Sequence, residues 1–249
     1  MGLTRQQNMN LVSDPTPHAI RHLRDVYSRY SSYCSDEWSY LDQSSDIGKS
    51  WENLDTPDGS RSIKRGQLLE LGTKPTIDAA FFSQVMAWGF GPAGYAQFRT
   101  RRILDQFGKL RSSPEEWLLQ LRAAAADGPL AGFQFLQDNH ITYLGPSFAT
   151  KHLYFLSPKS NQSPIIDSVV VAWLWRFGIA SDTTPIQVQN FDLASYHTYV
   201  EFVDQAVDEL TALSVENGMS LDRGLVEYLM FQDESRFRAM ATLDTWNQY

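Results

Sequence analysis

Beyond residue 76 the apolar positions recur at spacings of three and four, the period of helices that bury one face. The clearest run spans 194–212, where Tyr196, Tyr199, Val203, Ala206, Val207 and Leu210 follow at spacings of 3, 4, 3, 1 and 3. Segment 18–33 repeats the pattern on a smaller scale, with Leu23, Val26, Tyr27 and Tyr30 inward. Boundary residues divide the remainder. Thr76 is placed to cap a helix to about Trp88, stopped by Gly89, Phe90, Gly91 and Pro92, and a second helix is expected over 94–107. Ser113, Pro114, Glu115 and Glu116 form a capping box with proline at the first helical position; that helix runs to about Ala126 and ends at Asp127, Gly128 and Pro129. A short helix over 132–139 follows, then a tight connection over 144–149 into a helix starting near Thr150. A loop over 157–166 leads to Asp167 as N-cap of an apolar helix over 168–177, and Ser220 caps a final helix to about Phe231.

Two stretches lack a period. Residues 1–17 are polar and end in Pro15, Thr16 and Pro17. Residues 42–75 are rich in Ser, Asp and Gly, carry the turn signal Pro57, Asp58, Gly59, and read as a long loop that is either functional or mobile. No strand ladder and no internal repeat is evident. The expected fold class is all-α, with 1–75 as an N-terminal helix and long loops packed on a helical core over 76–249.

Composition narrows the class. The 249 residues are 43% hydrophobic, enough for a substantial core, and no apolar run approaches the roughly 20 residues needed to span a bilayer. The opening Met1-Gly2-Leu3-Thr4-Arg5-Gln6 has neither a secretory apolar stretch nor the Ser or Thr of a myristoylation signal, so a cytoplasmic protein without a membrane partner is expected. Cys34 is the single cysteine and reads as a passive thiol, which excludes an internal disulfide and a four-cysteine zinc or iron–sulfur site. His18 and His22 share a helix face without a third ligand, so neither a metal nor a cofactor is expected. A net charge of −8 opposes broad attraction to a polyanion. The charge is uneven, however. Residues 99–111 hold Arg99, Arg101, Arg102, Lys109 and Arg111 against Asp105 alone, and Arg61, Lys64 and Arg65 lie upstream. A basic face on an acidic body suits a small nucleic-acid footprint as well as it suits solvated helix faces.

The stretch richest in chemistry runs from Ile141 through Gly145, Pro146, Ser147, Phe148, Ala149 and Thr150 to Lys151, and on through Pro164, Ile165 and Ile166 to Asp167. It reads as helix, tight hairpin, helix, proline-bearing loop and capped third helix. A helix N-terminus after a hairpin offers backbone N–H groups that bind one phosphate without reading sequence. A lysine at that helix start would feel the positive end of the dipole, which favours a nucleophilic amine.

GPSFATK resembles the hairpin-to-lysine segment, L-P-G-V-G-x-K, of helix-hairpin-helix DNA glycosylases of the 8-oxoguanine type. Pro146 and Lys151 match directly, and Asp167 follows Lys151 by sixteen residues, at the start of the next helix as in the family. Residues 87–95 (AWGFGPAGY) with Arg99, Thr100 and Arg101 resemble the bacterial OGG-like branch. Ser147 and Ala149 stand where the family has its two glycines, with Gly145 two residues before Ser147. The resemblance spans roughly 75–235. It implies a two-lobed helical fold with the hairpin at about 131–157, and a monomer acting on double-stranded DNA that carries a modified base. Lys151 would attack the sugar, with a lyase step open to it. Asp167 would stabilise positive charge on the sugar as the base departs. Ser147, Phe148, Ala149, Thr150, His152, Arg99, Arg101 and Arg102 become candidate DNA contacts, and Trp88, Phe90, Tyr228 and Phe231 candidate walls of a base pocket. The base is oxidised guanine, in a repair enzyme, or a hypermodified base of invading phage DNA, in a defence enzyme. The alternatives are a non-catalytic helix-hairpin-helix DNA-binding protein and an acidic helical interaction protein.

Overall fold

A computed structural model of the protein describes residues 15–33, 39–46, 54, 62–180, 192–214 and 221–246. Cys34, the 57–59 turn signal, Ser220 and the first six residues lie outside them. Ten helices account for most of these residues: α1 (Thr16–Tyr33), α2 (Arg65–Gly72), α3 (Ala79–Phe90), α4 (Ala96–Leu110), α5 (Pro114–Ala126), α6 (Pro129–Asp138), α7 (Pro146–Leu156), α8 (Ser168–Arg176), α9 (Leu193–Ser214) and α10 (Arg223–Trp246). The fold is all-α. Its one sheet among the described residues is an antiparallel pair, β1 (Ser44–Asp46) with β2 (Ser62–Lys64).

That pair and α2 correct the reading of 42–75 as loop. Ser45 pairs with Ile63, whose side chain is fully buried, and Gln67 reaches back to accept from the Lys64 amide at 2.9 Å, opening α2. Other helix ends move by about a turn, apart from the far end of the last helix. Asp78, not Thr76, caps α3 by accepting from the Phe81 amide, while Ser113 caps α5 and Asp167 caps α8 as the pattern predicts. Each such cap contributes about 1 kcal/mol. Asp222 accepts from the Leu225 amide at the head of α10, which runs fifteen residues past Phe231. Pro146 opens α7, so Ser147 and Ala149 are already helical and the turn does not need glycine there. The left-handed backbone of this hairpin falls instead on Tyr143, at φ 74°.

α3 is apolar on nearly every side and is the centre of one group of helices, packing on α2, α4, α5 and α7. A second group joins α1, α8, α9 and α10, and α6 reaches across to α9. Asp233 on α10 ties the second group together. It accepts from His22 of α1 (2.9 Å) and from the Trp173 indole of α8 (3.0 Å), and pairs with Arg176.

Candidate active site

The connection from α7 to α8 runs between the two groups and is pinned from both sides. Tyr196 and Tyr199 of α9 donate to the carbonyls of Pro164 (3.0 Å) and Ile165 (2.8 Å). From α7, the Thr150 hydroxyl accepts from the Ile166 amide at 3.2 Å. These bonds fix the backbone just before Asp167, while Thr150 is the neighbour of Lys151.

Lys151 lies in the second turn of α7 rather than at its start, and is 6% exposed. Its Nζ donates to Asp167 Oδ2 at 3.2 Å and to the Ser147 carbonyl at 3.3 Å. The lysine stem crosses α3 at Gly89, where an added Cβ would sit 2.9 Å from the Lys151 Cδ and 2.8 Å from the Phe148 ring. Asp167 spends its other oxygen on the amides of Val169 and Val170, at 2.9 and 3.1 Å. Burial alone would raise its pKa; the Lys151 ammonium and those two amides outweigh it and hold the carboxyl below the usual carboxylate range. The result is a fixed negative charge touching an amine.

Both residues line a cavity of about 250 Å³ between the two helix groups. Trp88, Phe90 and Phe231, three of the four aromatic candidates, line it too. Tyr228 does not. It lines a neighbouring groove, with its ring 5.6 Å from the Arg65 guanidinium. Arg65 itself leaves the basic surface where its sequence neighbours suggested it would lie. It is 1% exposed, on the cavity wall, and its Nη1 donates to the equally buried Glu227 at 2.7 Å. Burial pushes the Glu227 carboxyl up, against the pull of Arg65. Neither residue was singled out from sequence for this place. A usable signal existed: Glu227 is the one charge in Leu225-Val226-Glu227-Tyr228-Leu229-Met230.

The expected DNA contacts divide. Arg99, Arg101 and Arg102 sit on α4 beside the hairpin tip, where Arg99 donates to the Tyr143 carbonyl (3.2 Å) and Arg102 to the Tyr143 hydroxyl (2.6 Å). Arg101 and Arg102 are exposed, and Arg102 stacks 4.1 Å from the Tyr143 ring centroid. Ser147 and Phe148 are half-buried, while Ala149, Thr150 and His152 are buried. His152 therefore faces the core and not a phosphate. It stacks on Phe82 at 4.3 Å and bonds to the Phe148 carbonyl at 2.9 Å, and burial pushes its pKa down to about 4. The first turn of α7 also offers fewer amides than expected, because Phe148 and Ala149 both donate to the Gly145 carbonyl and Pro146 has no N–H.

No helix among the described residues is long and apolar enough to cross a membrane. No curated protein and no solved structure matches the chain. A family model does: the one described as "Putative 8-oxoguanine DNA glycosylase OGG-like protein" matches residues 25–231. With that match covering most of its length, the chain belongs to the OGG-like family of DNA glycosylases.

Proposed function

We propose that the protein excises a modified base from double-stranded DNA, with Lys151 as nucleophile and Asp167 as a fixed counter-charge. The carrying observation is the buried Lys151–Asp167 contact of 3.2 Å on the wall of a cavity that aromatic residues share. The target nucleotide leaves the stack and enters the cavity. As its C1′–N bond lengthens, positive charge grows on the sugar, and the ionised Asp167 stabilises it. Lys151 gives a proton of its ammonium to the departing base, which leaves with the electron pair of the broken bond, and the lone pair so freed on Nζ bonds to C1′. Ring opening gives a Schiff base, from which loss of the 3′ phosphate by β-elimination cuts the strand.

The exposed Arg101 and Arg102, with Arg99 at the hairpin tip, form the face offered to the phosphate backbone. The base removed is oxidised guanine in repair, or a hypermodified base in defence against phage. Duplexes carrying each modification, incubated with the protein and treated with alkali, separate the two. Borohydride trapping tests the mechanism. A covalent protein–DNA adduct that Lys151→Ala abolishes supports it. Excision that survives Lys151→Ala but is lost in Asp167→Asn replaces it with a hydrolytic mechanism, and binding without any excision leaves a non-catalytic DNA-binding protein.

A further inference from the structure

The Arg65–Glu227 pair is costly and has no evident packing purpose. Two charges taken out of water are stabilised by each other only in part, and apolar side chains of similar size usually fold as well. Arg65 is nevertheless held from every side. Its Nε donates to Gln43 Oε1 at 3.1 Å, its Nη1 to Glu227 Oε2, and the rings of Tyr40, Trp88 and Tyr154 lie 5.2–5.8 Å from its guanidinium carbon. These bonds leave Arg65 Nη2 and Glu227 Oε1 without a partner among the described residues, and both side chains line the cavity that holds Lys151 and Asp167.

We propose that Arg65 and Glu227 are the specificity-determining residues of this cavity, and that they read a neutral everted base. Arg65 Nη2 donates to an acceptor on the base edge, and Glu227 Oε1 accepts from an adjacent N–H. The inference rests on the glycosylase reading above. A carbonyl beside a ring N–H, as in 8-oxoguanine or hypoxanthine, satisfies both groups. A base with that edge alkylated leaves the buried pair unsatisfied. A cationic N-alkylated base also meets a guanidinium that already occupies the nearby aromatic faces.

The test compares two substrates of the full chain, a duplex with an abasic site and duplexes with a base in place. An abasic site has no edge to read, so borohydride trapping there reports on Lys151 and Asp167 alone. The bases are 8-oxoguanine, hypoxanthine, 1,N6-ethenoadenine and N7-methylguanine. The variants are Glu227→Gln and the double Arg65→Met/Glu227→Leu, which removes the ion pair without stranding a charge and stands in if Glu227→Gln does not fold. The unsubstituted protein is expected to excise at least one of the first two bases and neither of the last two. Excision falls about 10- to 100-fold in Glu227→Gln, the scale of losing one charge-assisted hydrogen bond, and at least about 100-fold in the double variant, which loses both, while trapping at the abasic site changes by less than about threefold. Excision and trapping that fall together, or excision that does not fall, overturn the proposal. So does excision of the blocked or cationic bases, and there the glycosylase chemistry stands; trapping with no base excised overturns the proposal and leaves Lys151 only its chemistry at abasic sites. Absence of both trapping and excision overturns that chemistry as well.

Discussion

At the scale of single residues, the proposed nucleophile owes its place to a residue with no side chain. Lys151 can lie across α3 only because Gly89 leaves the space; a methyl group there would meet both the lysine stem and the Phe148 ring at under 3 Å. Gly89→Ala is therefore expected to displace Nζ from Asp167 and slow Schiff-base formation roughly 10–100-fold, as small misplacements of a reacting group do. Single-turnover trapping on abasic DNA measures this, with thermal unfolding to show that the helix persists. An unchanged rate would mean that the stem shifts without cost. Sequence alone placed Gly89 in a helix stop; the function of its missing side chain depends on α7, sixty residues away, and no local pattern reports it.

At the scale of elements, the α7–α8 connection is what brings an amine and a carboxylate sixteen residues apart into contact. Thr150 does this from inside α7, through its hydroxyl and the Ile166 amide. Thr150→Val keeps the shape and strands that amide in the interior, at about 1–3 kcal/mol. The melting temperature should drop by about 3–8 °C, whereas Thr150→Ser should stay close to the parent. Equal behaviour of the two would remove the hydroxyl from the account. The caps at Ser113 and Asp167 were legible because a cap is written in four adjacent residues. The β1–β2 pair and α2 were not, since β1 has no apolar residue and β2 only Ile63, the leucines of α2 (Leu68, Leu69 and Leu71) fill barely two turns, and Ser45 finds Ile63 only through a long-range pairing. Arg65 was hidden for the same reason: between Lys64 and Gly66 it looks like surface charge, and only α10 reveals its partner.

At the scale of the whole molecule, acid should weaken the fold before it touches the Asp167 carboxylate. His152 is buried and its pKa is about 4, below the ordinary 6.5, so the unfolded chain takes up the proton first. Its contribution is intact above pH 6.5 and is lost as the pH falls toward 4, by about 3 kcal/mol in all. Glu227, with its pKa raised, acts in the opposite sense, so the His152 part is read as a difference. Urea unfolding from pH 7 to 4 of the parent and of His152→Leu should show a shallower acid limb in the variant. Parallel limbs would place the acid sensitivity elsewhere.

The left-handed backbone at Tyr143 has one more consequence. A tyrosine at φ 74° carries conformational strain on the order of 1 kcal/mol that glycine would not. Glycine in turn gives up the stacking on Arg102 and gains freedom in the unfolded chain, so Tyr143→Gly should leave stability within about 1 kcal/mol of the parent. Stability alone thus gives no reason for an exposed aromatic ring at the tip of the hairpin. Fluorescence anisotropy on a labelled duplex should show weaker binding for Tyr143→Gly with an almost unaltered melting curve, which would mark the tip as a place where the molecule accepts tension in its own chain to keep a ring and an arginine facing outward.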